Sequence, residues 1–137
     1  MNCLFCDIAA KKILSEIIFE DDATLAFLDI APRAPGHTLI IPKNHVENVL
    51  DAGEENLKAI ALTIARVTDI LRATLIPSGF TIGINHGVDA GQAVDHLHVH
   101  ILPRFKGDSG GNIHSIVNNP GTASVAEIAN RIRQKKV

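Results

Sequence analysis

Three histidines alternate with aliphatic residues in segment 96–101, which reads HLHVHI. Successive side chains of a β-strand point to opposite faces, so a strand here places His96, His98 and His100 on one face. A rise of about 3.3 Å per residue separates neighbouring histidines by roughly 6–7 Å. Imidazoles titrate near neutral pH and act as nucleophiles, acids and bases. The pattern therefore favours a rigid catalytic array over an ordinary half-buried strand.

A glycine-containing loop directly precedes these histidines. Gly87, Ala90 and Gly91 permit a tight turn whose backbone N–H groups can point at an anion. Asn85 and Gln92 add uncharged side-chain donors. Donors grouped beside imidazoles suit a phosphate or another oxyanion, so this stretch predicts a phosphate-binding loop.

A Cys-x-x-Cys pair, Cys3 and Cys6, stands near the start of the chain. Two thiolates at this spacing can hold zinc if two further ligands come from elsewhere. The alternative is that both are small, half-buried residues of a helix. A thioredoxin-like redox motif is disfavoured because no βαβ pattern follows the pair.

Periodicity and turn residues predict the elements that position these groups. Helices are expected over 3–14, from Asp51 or Gly53 to a stop at Pro77, and after Ser124, which forms a capping box with Glu127. Strands are expected over 17–20, 24–28, 37–42, 80–85 and 96–103, and a loop over 107–123. Strands that follow one another without helical crossovers predict an α+β fold with an antiparallel sheet of about five strands.

Composition limits the class of protein. The chain has 137 residues, 46% of them hydrophobic, and a formal net charge of −2, which indicates one globular domain over 1–137. No basic stripe is present, so we expect no nucleic-acid partner. No apolar run is long enough for a bilayer and no signal peptide is evident, so we expect no membrane association and a cytoplasmic location.

The run AGQAVDHLHVHILPR resembles the signature of the histidine triad (HIT) superfamily, His-x-His-x-His followed by apolar residues. Three further stretches, CLFCDIAA, IIFEDDATLAFLDIAPRAPGHTLIIPKNH and INHGVDAGQ, resemble that superfamily's nucleotide-hydrolase branches, so the resemblance covers nearly the whole chain. It implies a HIT-like fold, with the sheet extended across a homodimer. It also implies hydrolysis or transfer at the α-phosphate of a purine nucleotide, adenosine in particular, which releases a nucleoside monophosphate.

The resemblance also implies roles for individual residues. His98 is the nucleophile that forms a covalent nucleotidyl-histidine, His100 contacts the phosphate and assists the leaving group, and His96 supports them. His45 matches a fourth histidine close to the triad. The implied phosphate contacts are Asn85, Gly91, Gln92 and the following Ala93.

The implied nucleoside pocket consists of a carboxylate and an apolar wall. Asp29 is expected to bind the ribose hydroxyls, although a turn aspartate after a strand is the alternative. The apolar wall is expected from Phe27, Ile30, Leu4, Phe5, Ile8 and Ile13. By pattern alone these six are ordinary core residues, so their contact with a ligand depends on the resemblance.

Two positions bear on the reaction. Ala93 departs from the family pattern, because many relatives carry Ser or Thr there, whose hydroxyl hydrogen-bonds near the phosphate or leaving group. Asn85 is similar to the phosphoramidase branch, whereas the dinucleoside polyphosphate hydrolases tend to have Gln. Both branches remain open, with a phosphoramidase favoured.

Some bacterial-type relatives bind zinc through a similar cysteine pair. The resemblance then implies a structural zinc at Cys3, Cys6, His45 and His96, while the chemistry itself requires no cofactor. His96 is a structural ligand in that arrangement, which leaves His98 and His100 for catalysis.

Two alternatives come from other functional classes. A metal-dependent hydrolase would use the three histidines as zinc ligands, but such sites usually need a nearby carboxylate base, and Asp95 would point away from the histidine face. A nucleotide-binding regulator without useful turnover is the other alternative, against which the intact histidines argue.

Among the remaining candidates, His37 is expected to be structural, His86 and His114 to be solvated, and Arg104 and Lys106 to be surface charges.

Overall fold

A single antiparallel sheet of five strands forms the centre of the molecule, a computed structural model that describes residues 2–135. The strands are β1 (Ile17–Glu20), β2 (Thr24–Leu28), β3 (Thr38–Pro42), β4 (Gly79–Gly83) and β5 (Val99–Arg104), in the spatial order β1-β2-β3-β5-β4. The helices are α1 (Leu4–Ala9), α2 (Gly53–Leu75) and α3 (Val125–Gln134), with short 3₁₀ turns at Val88–Ala90 and Ile113–Ser115. The predicted α+β class, with its antiparallel sheet and one long helix, is confirmed.

The sheet is covered on both faces. The long helix α2 packs on one face through a cluster that includes Val67, Ala26, Ile40, Val99 and Ile101. The short helix α1 packs on the other through a cluster of Phe5, Ile8, Leu25, Phe27, Leu39, Ile41 and Cys3. Because β2 and β3 face both clusters, nearly every residue of these two strands is buried.

Side-chain hydrogen bonds set several element boundaries. Asp21 Oδ1 accepts from the backbone N–H groups of Ala23 and Thr24 at 3.0 and 2.7 Å, which forms the predicted turn between β1 and β2. The predicted capping box of α3 is present, since Ser124 and Glu127 each accept from the other's backbone N–H.

The N-terminal helix is shorter than the predicted 3–14. It ends at Ala9, and Lys11 adopts a left-handed backbone conformation with φ of 59°. Ile13 and Leu14 therefore leave the helix and lie along a cavity described below. The prediction of a helix over 3–14 was therefore wrong beyond Ala9, where the chain forms a loop.

The strand predicted over 96–103 begins only at Val99, so His96 and His98 are not strand residues. Leu97 donates its backbone N–H to the Val46 carbonyl at 2.7 Å rather than to a neighbouring strand. The His96 carbonyl accepts from the His98 side chain and is not part of the sheet ladder. These local bonds replace sheet pairing, so the prediction of a regular strand at His96 and His98 was wrong. The alternation itself is present, since Leu97, Val99 and Ile101 pack on the α2 side while His98 and His100 face the α1 side.

Other boundaries differ by one or two residues. The strand predicted over 80–85 spans Gly79–Gly83, and the one predicted over 37–42 begins at Thr38. The predicted loop 107–123 contains the short 3₁₀ turn. Within residues 2–135, no helix has both the length and the apolar character needed to cross a membrane.

Candidate functional site

A cavity of about 930 Å³ lies on the α1 side of the sheet. All seven residues predicted to contact a nucleoside line it: Leu4, Phe5, Ile8, Ile13, Phe27, Asp29 and Ile30. The sequence analysis missed seven further lining residues: Leu14, Ser15, Glu16, Leu28, Pro32, Leu39 and Val94. Because α1 and the end of β2 form opposite walls, residues far apart in the chain meet around one apolar space.

The mouth of the cavity exposes large apolar side chains. Ile30 is 100% exposed and Leu14 is 96% exposed, while Phe5 and Phe27 on the inner wall are buried. The Phe5 and Phe27 rings pack edge to face with centroids 5.5 Å apart. The cavity therefore has a buried aromatic floor and exposed apolar side chains at its mouth. This arrangement suits a flat organic ring that enters from solvent.

His98 lines this cavity in a defined tautomer. Its Nδ1 lies 2.7 Å from the His96 carbonyl oxygen. A carbonyl can only accept, so Nδ1 carries the proton and the lone pair is on Nε2. In the neutral tautomer that this bond selects, the Nε2 lone pair of His98 is free, and the residue is 6% exposed.

His100 also lines the cavity, in the opposite tautomer. His37 Nδ1 accepts from the Arg33 backbone N–H at 3.1 Å, which places the His37 proton on Nε2. That Nε2–H donates to His100 Nδ1 at 2.9 Å, so the proton of neutral His100 is on Nε2. The centroids of the His98 and His100 rings are 5.1 Å apart. Two neighbouring rings therefore present different groups, a lone pair on His98 and an N–H donor on His100.

Burial favours the neutral form of His100 and His37. Together with positive charge on the neighbouring His98 and His37, burial lowers the pKa of His100 to about 4. Burial also lowers the pKa of His37, against the opposing effect of the Asp29 carboxylate. At neutral pH, His100 is therefore a hydrogen-bond donor rather than a cation.

The contact between His37 and His100 was missed by the sequence analysis. His37 was expected to have only a structural role, yet its Nε2 also lies 3.5 Å from Asp29 Oδ2. Asp29, His37 and His100 thus form a chain of polar groups that leads to the cavity. The signal was indirect: pairing β3 with β5 brings the start of β3, where His37 stands, beside His100.

The glycine-containing loop borders the same cavity. Asn85, Gly91 and Ala93 line it, and Gly91 has φ of 93°, a conformation that favours glycine. Gln92 does not line the cavity. Its side chain accepts from the Gly87 N–H and donates to the Glu47 and Val94 carbonyls at 2.8–3.1 Å. Gln92 therefore braces the loop, and its predicted phosphate contact stays a prediction.

His96 lies in a second cluster, outside the cavity. Its Nε2 donates to the Pro42 carbonyl at 2.8 Å, so its lone pair is on Nδ1. That Nδ1 lies 3.4 Å from Cys3 Sγ and 3.6 Å from Cys6 Sγ, and Cys6 Sγ lies 3.3 Å from His45 Nδ1. These are the four residues that the resemblance implied as zinc ligands, gathered from three parts of the chain.

The cluster fits a tetrahedral zinc ion. All four ligand atoms lie within 4.8 Å of one another. With Zn–S near 2.3 Å and Zn–N near 2.0 Å, tetrahedral ligands lie about 3.3–3.8 Å apart, which matches the three sulfur–nitrogen distances. Burial, followed by the neighbouring Cys3, raises the pKa of the Cys6 thiol to about 11, as expected for thiols packed together without a cation.

The three histidines do not converge on a common point. His96 Nδ1 is directed at the cysteines and His98 Nδ1 at a backbone carbonyl, while His100 Nδ1 accepts from His37. A metal-dependent hydrolase that uses all three as ligands would need these bonds to be broken. The geometry therefore disfavours that alternative.

The remaining candidates lie apart from the cavity. His86 and His114 are exposed, as predicted. Arg104, expected to be a free surface charge, donates to Asp108, Thr81 and the Gly111 carbonyl, and the Asp108 pKa lies well below its usual range because of that guanidinium.

Comparison with known proteins gives consistent matches. The family described as HIT domain matches residues 10–107. A member of the HIT family from Bacillus subtilis is 32% identical, with a TM-score of 0.83, and the match covers 100% of this chain and 99% of that one. A Zn-bound histidine triad family protein from Mycobacterium smegmatis is 38% identical, with a TM-score of 0.75 and coverage of 80% and 79%. A HIT family hydrolase from Legionella pneumophila is 36% identical, with a TM-score of 0.66 and coverage of 88% and 100%.

Proposed function

Since the chain belongs to the HIT family, we propose that it is a nucleotide hydrolase or transferase acting through a covalent nucleotidyl-His98 intermediate. It cleaves a phosphoramidate or phosphoanhydride bond at the α-phosphate of a purine nucleotide and releases the monophosphate. The observation that carries this proposal is the pair of opposite tautomers. His98 offers a lone pair and His100 an N–H to the same cavity.

In the first step, the His98 Nε2 lone pair forms a bond to the α-phosphorus while the bond to the leaving group breaks. The His100 Nε2–H donates a hydrogen bond to the leaving atom, which takes its proton from solvent, so His100 stays neutral and its tautomer is held by the His37 N–H. The His98 ring becomes positive, and its Nδ1–H remains bonded to the His96 carbonyl, which stabilises that charge.

In the second step, water attacks phosphorus and the Nε2–P bond breaks, returning the electron pair to His98. The proton of the attacking water passes to solvent, which balances the proton taken up in the first step. Both imidazoles are restored, and no metal or external base is consumed.

The cavity supports a purine nucleoside as the group transferred. Its aromatic floor and apolar mouth accept a base, and Asp29 at its edge is placed to accept from ribose hydroxyls. The loop with Asn85, Gly91 and Ala93 lines the same cavity as His98, which supports phosphate binding beside that histidine. In this assignment Gln92 holds the loop in place through its side-chain hydrogen bonds. His96 holds the nucleophile in place through its carbonyl.

The test is release of AMP from adenosine 5′-phosphoramidate, with diadenosine polyphosphates alongside, by wild type and His98→Ala. We expect metal-independent turnover by wild type, loss in His98→Ala, and nucleotidylated wild-type protein in intact mass spectra after an alkaline quench. His86→Ala, at an exposed loop histidine, is the matched control and should retain turnover.

Each other outcome points to a different function. Turnover of the dinucleotides alone would place the protein in the dinucleoside polyphosphate branch. Binding of AMP without turnover of any substrate would reject the enzyme and favour a nucleotide-binding regulator. Full activity in His98→Ala would reject covalent catalysis at this residue.

We also propose that Cys3, Cys6, His45 and His96 hold a structural zinc ion. The support is the fit of the four ligand atoms and the solved zinc-bound relative. Zinc in such a closed four-ligand site supplies folding energy rather than a reactive water. Cys3 and His45 also line a second cavity, of about 510 Å³, which gives an ion a route from solvent. The two unpaired cysteines support the predicted cytoplasmic location.

The proposed assembly is a homodimer built on β4. In residues 2–135 this strand pairs only with β5, so its outer edge is open to another strand. Beside that edge lie partly exposed apolar side chains, including Ile82 at 36% and Ile84 at 41%. On α2, Thr68 Oγ1 is buried without a hydrogen-bond partner among the described residues. A second copy would cover these side chains and extend the sheet.

Analytical ultracentrifugation tests the dimer. Wild type should sediment as a dimer and Ile82→Glu as a monomer, because a carboxylate would be buried at the interface. Ile113→Glu, in the exposed C-terminal connection, is the control and should remain dimeric. A monomeric wild type would contradict the proposal.

A further inference from the structure

The backbone of His96 joins the cysteine cluster to the nucleophile. Its ring is fully buried and faces the two thiols through Nδ1, and Pro42 holds the other ring nitrogen. The carbonyl of the same residue accepts the His98 Nδ1–H at 2.7 Å. A shift of the His96 ring is therefore transmitted to the group that sets the His98 tautomer.

A second connection runs through α1. Cys3 is the N-cap residue of this helix and Cys6 lies in its first turn. Between them stands Phe5, whose ring packs edge to face on His98 at 5.1 Å and on His96 at 6.0 Å. The helix that carries both thiols therefore also carries the aromatic ring against the nucleophile and part of the cavity wall.

The sulfur–nitrogen contacts alone hold this arrangement weakly. A thiol is a poor hydrogen-bond donor, and the three contacts are long, at 3.3–3.6 Å. An ion bonded to all four ligands would fix α1, the His45 segment and His96 relative to one another. Loss of a residue that holds a metal ligand or functional group in place commonly lowers activity or affinity by about 10- to 100-fold.

We propose that the Cys3–Cys6–His45–His96 cluster, when it binds zinc, positions the catalytic nucleophile. The bound ion fixes the His96 carbonyl and the Phe5 ring, and these two groups hold His98 as the Nδ1–H tautomer with Nε2 directed to the cavity. Cys3, Cys6 and His45 are thus positioning residues for His98. This inference rests on the proposed function, since it assigns His98 as the nucleophile.

The test uses full-length protein labelled with ¹⁵N-histidine, in zinc-loaded wild type and in Cys6→Ser. Long-range ¹H–¹⁵N spectra report the tautomer of His98, and calorimetry reports AMP affinity. We expect one bound zinc and a single Nδ1–H tautomer in wild type. Cys6→Ser should lose zinc, show mixed tautomers and bind AMP about tenfold or more weakly.

Matched variants separate positioning from folding. Ala9→Ser adds a hydroxyl to the same helix outside the cluster and should resemble wild type. Cys6→His retains a metal ligand, so it should recover zinc together with the His98 signal. Circular dichroism identifies any unfolded variant. If Cys6→Ser is unfolded, the comparison is made between zinc-loaded Cys6→His and the same variant after a chelator has removed its metal.

The coupling is overturned if wild type binds no zinc. It is also overturned if metal loss lowers the melting temperature while the His98 spectrum and AMP affinity stay unchanged. Failure of the proposed function would appear differently, as undiminished turnover in His98→Ala, and would leave the tautomer response measurable.

Discussion

At the scale of single residues, each imidazole of the site has its function set by one partner. His98 has a free Nε2 lone pair because a carbonyl holds its other nitrogen, and His100 has an Nε2–H because His37 donates to its Nδ1. Chemically identical side chains thus offer a lone pair and a donor to the same cavity. Two predictions follow from residues beside this pair.

Ala93 lines the cavity but has no hydroxyl, where the resemblance to the HIT superfamily implies Ser or Thr. Ala93→Ser should raise kcat on adenosine 5′-phosphoramidate about fivefold, since a hydrogen bond contributes about 1 kcal/mol. Steady-state kinetics measure this, with Ala90→Ser, in the same loop but outside the cavity lining, as the control. Unchanged kcat would show that the missing hydroxyl does not limit this enzyme.

His37→Ala should lower kcat about 10- to 100-fold with a smaller change in KM, because His100 Nδ1 loses its donor and the His100 proton is no longer held on Nε2. His37→Gln retains an N–H donor and should recover part of the loss. Kinetics of both variants on one substrate provide the measurement. Equal kcat for wild type and His37→Ala would return His37 to a structural role.

At the scale of secondary-structure elements, short segments carry the site and the regular strands support it. Helix α1 has six residues, and the turn before β5 holds His96 and His98 outside the sheet ladder. The far C-terminal helix α3 is different, because none of its residues is buried. Its N-cap is therefore a main source of its stability.

Ser124→Ala should loosen α3 alone. Loss of an N-cap costs about 1 kcal/mol, so amide exchange within 125–134 should accelerate about fivefold. The melting temperature of the domain should not change. Hydrogen-exchange mass spectrometry measures this, with Ser109→Ala as the control. A drop of several degrees in melting temperature would show that α3 packs against the domain or a second copy.

At the scale of the whole molecule, neutral histidines are built into the interior. The pKa of His100 is lowered to about 4 by burial and by its histidine neighbours, so between about pH 6.5 and 4 the unfolded chain binds a proton that the folded protein does not. Stability therefore falls as pH falls through this window. Asp29 opposes the shift, while His98 and His37 add to it.

His100→Gln should reduce this acid sensitivity. From about 1.4 kcal/mol per pKa unit, the titration of His100 destabilises wild type by about 2 kcal/mol between pH 7.5 and pH 5. The variant should lose correspondingly less stability over the same interval. Urea unfolding at both pH values measures it, with His114→Gln, at an exposed histidine, as the control. Equal pH dependence in wild type and His100→Gln would contradict this account.

Local periodicity and turn residues predicted the sheet, the long helix and the capping box. The seven predicted nucleoside-pocket residues, which all line the cavity, came from the resemblance to the HIT superfamily and not from pattern. The predictions of helix beyond Ala9 and of strand before Val99 were wrong. There, Lys11 adopts a left-handed conformation and the His96 carbonyl binds a side chain instead of a strand.

What the sequence determined by itself is the set of candidate residues, since the three alternating histidines and the cysteine pair are marked by residue type and spacing. Only the tertiary structure decided which nitrogen of each imidazole is available and which cluster each belongs to. The deciding partners are distant in the chain: His37 and His100 are 63 residues apart, and Cys3 and His96 are 93 apart. A ring tautomer is set by the partner of its other nitrogen, and folding supplies that partner.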